Sequence, residues 1–390
     1  MKLNRMLKMG MVGGGPGAFI GDVHRKAARM DGQIELVGGA FDIDPKRSRS
    51  MAKVLYLDPK RVYGSYQELI KAELALPEHE RMDFVTVCTP NNWHFPIARD
   101  LLKAGFHVMC EKPMTVNVKE ARQLCKLVKK TGKVFGLMHN YTGYPMVKLA
   151  RDLVSKGDIG KIRKVIVQYP QGWLATALEK TGNMQAAWRA DPKQNGGSGC
   201  GGDIGTHAEN LAEYVTDLKM TELNAELTAF VKGRKLDDDV NCLVRFNNGA
   251  RGILHASQVA VGEENNLAIW VYGTNGSIEW HQEHPNYLYV KMQGKPVEVW
   301  KRGNDYISKK SPAAARSSRL PAGHPEAFIE AFANNYVNFA ETVRASIEGK
   351  KPKHLALDFP NVEDGLRGML FLETLLVSAK SKQKWTKFKK

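Results

Sequence analysis

The sequence predicts an α/β chain: a parallel-sheet domain over residues 1–139, then an α+β domain over 140–390. The second domain is built on a large, mostly antiparallel sheet with one open face. Three observations predict this. From residue 7 to about 139, short apolar runs alternate with helical patterns, as in a parallel sheet covered on both faces. Near residue 140 the rhythm changes. From 222 to 300 strand follows strand, with hairpin signals at Asn247-Asn248-Gly249 and Thr274-Asn275-Gly276.

The first strand is the apolar run 7–12. It enters Gly13, Gly14, Gly15, Pro16 and Gly17 and leaves through Ala18, Phe19 and Ile20 into a helical pattern. Such a strand–turn–helix aims free backbone N–H groups and the positive helix end at a phosphate. Gly13-x-Gly15-x-x-Ala18 fits the dinucleotide fingerprint of a Rossmann-type sheet, and the glycine-rich run admits other registers. The run 34–37 leads through Ala40 and Phe41 to Asp42 as the second strand, and Asp44-Pro45 caps the next helix. Ser65-Tyr66-Gln67-Glu68 reads as a capping box. The run 84–88 is continuously apolar, as a buried parallel strand is, and counts as the fourth strand. A helix over 93–104 stops at Gly105, strand 107–110 counts as the fifth, and helix 119–130 stops at Gly132 before strand 134–138.

In the second domain, 146–154 is helical and 162–169 alternates as a strand. Residues 170–202 show no clear periodicity, and a loop that long is more often functional than idle. A helix begins near Asp203. Helices over 325–348 and 362–379 close the chain and are free to pack back on the first domain.

Asp42 ends the second strand, where a carboxylate accepts from both ribose hydroxyls of NAD and repels the 2′-phosphate of NADP. Lys46, Arg47 and Arg49 follow it and could hold that phosphate instead. Thr89-Pro90-Asn91-Asn92-Trp93-His94 and Glu111-Lys112-Pro113 both follow strands at the carboxyl edge of the sheet, where open parallel sheets bind ligands. A lysine sheltered there beside a cationic ring is drawn toward a pKa useful for proton transfer. The same residue also fits a solvated lysine paired with Glu111. Asp203 and His207, four apart at a helix start, share one helix face and together can orient a hydroxyl and take its proton. For an isolated pair, an N-cap aspartate beside a core histidine is the more ordinary reading. A metal site is not expected.

These motifs occur in this order at these domain positions, and the chain resembles the Gfo/Idh/MocA oxidoreductases over essentially its whole length. The resemblance implies NAD(P)-dependent oxidation or reduction of a sugar, glycoside, cyclitol or related polyol. It implies Lys112 as the catalytic lysine, Asp203 and His207 as the substrate-side pair, and Thr89, Pro90, Asn91, His94 and Glu111 lining the cofactor. A sugar ring offers an apolar face and a hydroxyl rim. Asn140, Tyr141, Trp173, Trp188-Arg189 and His324 are the candidates to meet them, with core packing the alternative for each aromatic. Either Lys112 or His207 serves as the immediate base. The rival of another class, a dinucleotide-binding sensor without catalysis, would dispense with both.

Composition excludes other classes. Five scattered cysteines without C-x-x-C pairs suit a reducing compartment, and the cytoplasm is expected. Lys2, Arg5 and Lys8 precede apolar residues as in a secretion signal, yet the glycines break it and no A-x-A-like site follows. No apolar stretch approaches the ~20 residues that span a bilayer. A net charge of +16 is spread along the chain, clustering only in the tail at Lys380, Lys382, Lys384, Lys387, Lys389 and Lys390. No nucleic-acid motif accompanies it, so a basic surface for small anionic ligands is expected. An open sheet face calls for a homodimer or homotetramer.

Overall fold

The computed structural model describes residues 3–389. The described residues through Met138, together with Phe332–Leu366, form one compact unit. His139–Ala331 and the described residues from Arg367 onward form another.

The first unit holds five parallel strands: β1 (Leu7–Gly13), β2 (Ile34–Ala40), β3 (Phe84–Cys88), β4 (His107–Cys110) and β5 (Phe135–Leu137). Their order is β2-β1-β3-β4-β5. Every residue of β3, β4 and β5 is buried, which is why these segments read as unbroken apolar runs. The strand count is one lower than the sequence pattern implied. Between β2 and β3 only a single bridge, Gly39 to Val62, marks where a further strand would lie. Pro59 and its charged neighbours instead make a 3-10 turn in which the Asp58 side chain accepts the Lys60 N–H at 2.9 Å. The motif at Thr89 therefore follows the third strand, and Glu111-Lys112-Pro113 the fourth.

Local signals place the helices: α1 (Phe19–Arg29), α2 (Pro45–Val54), α3 (Tyr66–Ala75), α4 (His94–Lys103) and α5 (Val118–Thr131). Asp44 accepts the Lys46 N–H at 2.8 Å, Ser65 the Glu68 N–H at 3.1 Å, and Asn117 the Glu120 N–H at 2.9 Å. Gly132, at φ +65°, ends α5 in the left-handed conformation. Within the same unit Phe339 packs edge-on to Phe84, ring centroids 5.1 Å apart.

The second unit is built on nine strands: β6 (Lys164–Pro170), β7 (Met220–Thr228), β8 (Asp239–Phe246), β9 (Arg251–Ser257), β10 (Ala268–Tyr272), β11 (Gly276–His281), β12 (Tyr287–Met292), β13 (Glu298–Lys301) and β14 (Thr386–Lys387). Their order is β13-β12-β11-β10-β6-β9-β8-β7-β14. All neighbours are antiparallel except β6 and β9. Helices α6 (Pro145–Ser155) and α7 (Thr206–Thr216) are buried along most of their lengths. On the other face, cross-strand pairing aligns Asn224, Leu243, Ile253, Ile166, Trp270, Glu279, Tyr289 and Val299 in one row. None of the eight is buried, and Leu243 and Val299 are 45% and 42% exposed.

The 170–202 segment is less irregular than its sequence indicates. It folds into a 3-10 turn, Leu178–Lys180, and two short helices, Met184–Ala190 and Pro192–Asn195, each started by a capping Asn183 or Asp191. Pieces of one or two turns are too short to show a 3.6-residue period. No helix among the described residues is long and apolar enough to cross a membrane.

Candidate active site

Among the registers the glycine-rich run admits, the structure takes one that closes on Gly21 and not on Ala18. Gly13, Gly14 and Gly17 have φ of +87°, +74° and +80°, which only glycine adopts without strain. A Cβ on Gly13 would lie 2.6 Å from the Cys88 carbonyl oxygen, and one on Gly15 2.6 Å from that of Phe41. Ala18 is not the close-packing position: it is the extended residue before α1. That role falls to Gly21, inside α1, where a Cβ would stand 2.3 Å from Gly14 Cα. Pro16, Gly17 and Phe19 are exposed, leaving the loop backbone open at its crest. Arg25 of α1 donates to the Gly14 carbonyl at 2.8 Å.

Asp42 stands two residues beyond β2. Its carboxylate accepts the Asp44 N–H at 3.0 Å and pairs with Arg47 at 3.1 Å. Arg47 also reaches the Pro16 carbonyl at 3.3 Å, and Arg49 is committed to Glu68 at 2.8 Å. Two of the cations that could have held a 2′-phosphate are thus already engaged with carboxylates.

At the carboxyl edge of β3 and β4 the structure brings Thr89, His94, Glu111 and Pro113 together. His94 is buried, and its Nδ1 and Nε2 lie 2.8 and 2.9 Å from the Pro113 and Thr89 carbonyls. Burial pulls its pKa below the ordinary imidazole value against the opposing pull of the two carbonyls. Set between the two carbonyls, His94 braces the two loops. The Thr89 hydroxyl and the Asn92 side-chain oxygen are buried without a hydrogen-bond partner. An exposed loop crest, a cradle that admits no side chain and an orphaned hydroxyl beside it fit a bound dinucleotide. Asn91 is buried and Pro90 and Lys112 are half-buried on the same edge. The Glu111 carboxylate faces inward to His24 and accepts the Lys112 backbone N–H at 3.0 Å.

The second unit gathers most of the substrate-side candidates. Asp203 lies in a five-residue π-helical turn, Gly201–Gly205, before α7, and such turns recur at functional sites. The turn interrupts the regular helix in which a four-residue spacing shares a face. Its carboxylate accepts from Arg189 Nε at 3.1 Å and Gln258 Nε2 at 2.9 Å. Arg189 lies over the Trp188 ring at 4.3 Å and that of Trp173 at 5.7 Å. His207 meets His139 Nδ1 to Nδ1 at 3.4 Å, and Tyr141 edge-on at 4.7 Å. The Tyr141 and Tyr169 hydroxyls are hydrogen-bonded, and Asn265 accepts from Tyr169 at 2.6 Å and from Gln171 at 2.7 Å. Burial pushes the Tyr169 hydroxyl far above its ordinary pKa, so it stays a neutral donor. Asn140 is buried and its side-chain nitrogen has no partner. His324 is not part of this group. It sits on an exposed turn, where Arg302 holds its backbone carbonyl.

Sequence reasoning missed Gly21, His24, His139, Tyr169, Gln171, Gln258 and Asn265. Gly21 was visible as a further glycine downstream of the loop. His24 lies on α1 and Tyr169 on β6, while His139, Gln171, Gln258 and Asn265 lie in connecting segments, and nothing local separates any of them from ordinary polar positions.

Two family models match the chain: "Oxidoreductase family, NAD-binding Rossmann fold" over residues 7–139, and "GFO/IDH/MocA C-terminal domain" over 147–279. The uncharacterized oxidoreductase YfiI of Bacillus subtilis is 32% identical over 390 residues, covering 99% of this chain and 98% of that protein. Levoglucosan dehydrogenase of Pseudarthrobacter phenanthrenivorans is 31% identical over 229 residues, 53% of this chain and 57% of its own. An inositol dehydrogenase homolog from Azotobacter vinelandii, solved with NAD+, superposes with a TM-score of 0.93 at 35% identity. It covers 99% of this chain and 98% of its own. The same homolog solved with NADH and myo-inositol gives 0.90. With the glycine cradle and the two-unit architecture already described, the conclusion follows: this chain belongs to the GFO/IDH/MocA family and is an NAD-binding oxidoreductase acting on CH–OH groups.

Proposed function

We propose that the protein oxidises a ring secondary hydroxyl of a sugar, glycoside or cyclitol. The observation that carries this reading is the polar cluster of the second unit. Asp203, Gln258, Arg189, His207, Tyr141, Tyr169, Asn265 and the unpartnered Asn140 amide set donors and acceptors among aromatic rings. Hydroxyl-rich rings need that mixture, and the inositol and levoglucosan enzymes among the relatives are named for such substrates. NAD, when bound, supplies the hydride acceptor. The chain's own task is to orient the hydroxyl and take its proton. Asp203, held by Arg189 and Gln258, orients. His207 is the immediate base and Lys112 the relay, with the reverse assignment equally consistent.

The test is a screen of sugars, inositols and aryl glycosides with NAD and NADP, following absorbance of the reduced nicotinamide. Reduction with one ring class is expected, and none with any of them removes the reading. NAD is the preferred coenzyme because Asp42 occupies the ribose position. Asp42→Ala is expected to lower the NAD-over-NADP preference in kcat/KM by about 10- to 100-fold, the value of one or two hydrogen bonds to a charged group. An unchanged ratio would refute the role. The row of apolar and aromatic residues on the open sheet face supports a homodimer or homotetramer. Sedimentation should then find no monomer at micromolar concentration.

A further inference from the structure

His24 is wholly buried on α1 and carries no part of the function described so far. Its Nε2 lies 2.9 Å from Glu111 and its Nδ1 2.7 Å from the Tyr336 hydroxyl, which is 3.0 Å from the Thr86 hydroxyl. One order of protons satisfies the chain. Thr86 donates to Tyr336, Tyr336 to Nδ1, and Nε2–H to the carboxylate. The second Glu111 oxygen accepts the Lys112 backbone N–H at 3.0 Å. Burial alone would raise the Glu111 pKa. The hydrogen bond from His24 and the neighbouring Lys112 ammonium outweigh it, and the carboxyl stays below its ordinary value.

The same helix grips the glycine loop. Gly21 packs on Gly14, and Arg25, the residue after His24, donates to the Gly14 carbonyl at 2.8 Å. One rigid element thus holds the dinucleotide cradle at residue 14 and, through Glu111, the backbone of Lys112.

We infer that His24 is a positioning residue: through Glu111 it ties the Lys112 backbone to the helix that packs on the dinucleotide loop, so that loading the loop sets the lysine. This rests on the reading of Lys112 as a proton-handling group. A buried histidine that merely satisfies a buried carboxylate would stabilise the fold without this link, and the experiment separates the two.

Wild type, His24→Gln and Tyr336→Phe are compared, after thermal melting shows that each is folded. Lys112 is trace-acetylated with and without saturating NAD and quantified by mass spectrometry. Turnover is then measured on the polyol found in the screen. In wild type, NAD is expected to change the acetylation rate of Lys112, and His24→Gln is expected to lose that response. Turnover should fall about 10-fold in His24→Gln and about threefold in Tyr336→Phe, with KM for the polyol within about twofold, the pattern of a misplaced group rather than lost binding.

Folded His24→Gln with a wild-type NAD response at Lys112 overturns the inference whatever its turnover, and so does a wild-type lysine indifferent to NAD. If His24→Gln does not fold, Tyr336→Phe, which removes a single oxygen, decides by the same response. A wild-type enzyme that reduces NAD with no polyol defeats the proposed function, while the labelling response still reads the inference.

Discussion

Lys112→Ala and His207→Ala are each expected to lower turnover by about 100-fold or more while NAD binding persists. General acid–base groups contribute about 10²–10⁴-fold. Removing either also loses the positioning that makes an oriented hydroxyl reactive. On the proposed reading, NAD is held chiefly by the glycine loop at Gly13–Gly17 and by Asp42, away from both substituted side chains. Calorimetry should therefore find NAD bound by both variants. His207 is confined by His139 and the edge of Tyr141, so its ring has little freedom to be replaced by a neighbour. Lys112→Arg discriminates further. A guanidinium keeps the positive charge but does not release its proton at working pH, so it should be nearly as inactive as alanine if the lysine moves a proton. Near-normal kcat in either alanine variant removes the assignment.

Gly21→Val is expected to abolish NAD binding and to destabilise the fold by about 1–3 kcal/mol, the usual cost of forcing atoms into a packed site. A Cβ there meets Gly14 Cα at 2.3 Å and the Gly14 carbonyl oxygen at 3.0 Å, and both partners are backbone. Either α1 moves off the loop or the loop moves off its dinucleotide-binding conformation. Even Gly21→Ala should weaken NAD by about 10-fold, or about 1.4 kcal/mol, although alanine is the better helix former by up to about 1 kcal/mol. Ala18→Gly is the control. Were Ala18 the close-packing position, its replacement by glycine would relieve the loop; at the extended residue before α1 it should leave NAD affinity unchanged. Calorimetric titration and melting curves on the three variants check the register. Wild-type affinity in Gly21→Ala would refute it.

How much was legible follows from the range of each interaction. Asp44, Ser65 and Asn117 announce helix starts because a cap bonds two or three residues ahead. The unbroken apolar runs at β3 and β4 announce burial on both faces. Asp203, Trp188 and Arg189 were legible as candidates, and the structure joins Arg189 to Asp203 at 3.1 Å. Strand count was less legible, because an apolar rhythm does not reveal whether residues near Val62 find more than one bridging partner.

The sequence by itself determined the order of elements, the glycine turn, the hairpins and the residue types at the sheet edge. Each is set within a few positions by backbone geometry and the alternation of solvent and core. Only the tertiary structure decided that Gly21 packs on Gly14, that Gln258 holds Asp203, and that His24 is shared by Glu111 and Tyr336. The last contact spans 312 residues. A buried polar group must find a partner. Which partner it finds depends on how distant segments pack, and no local pattern encodes that choice.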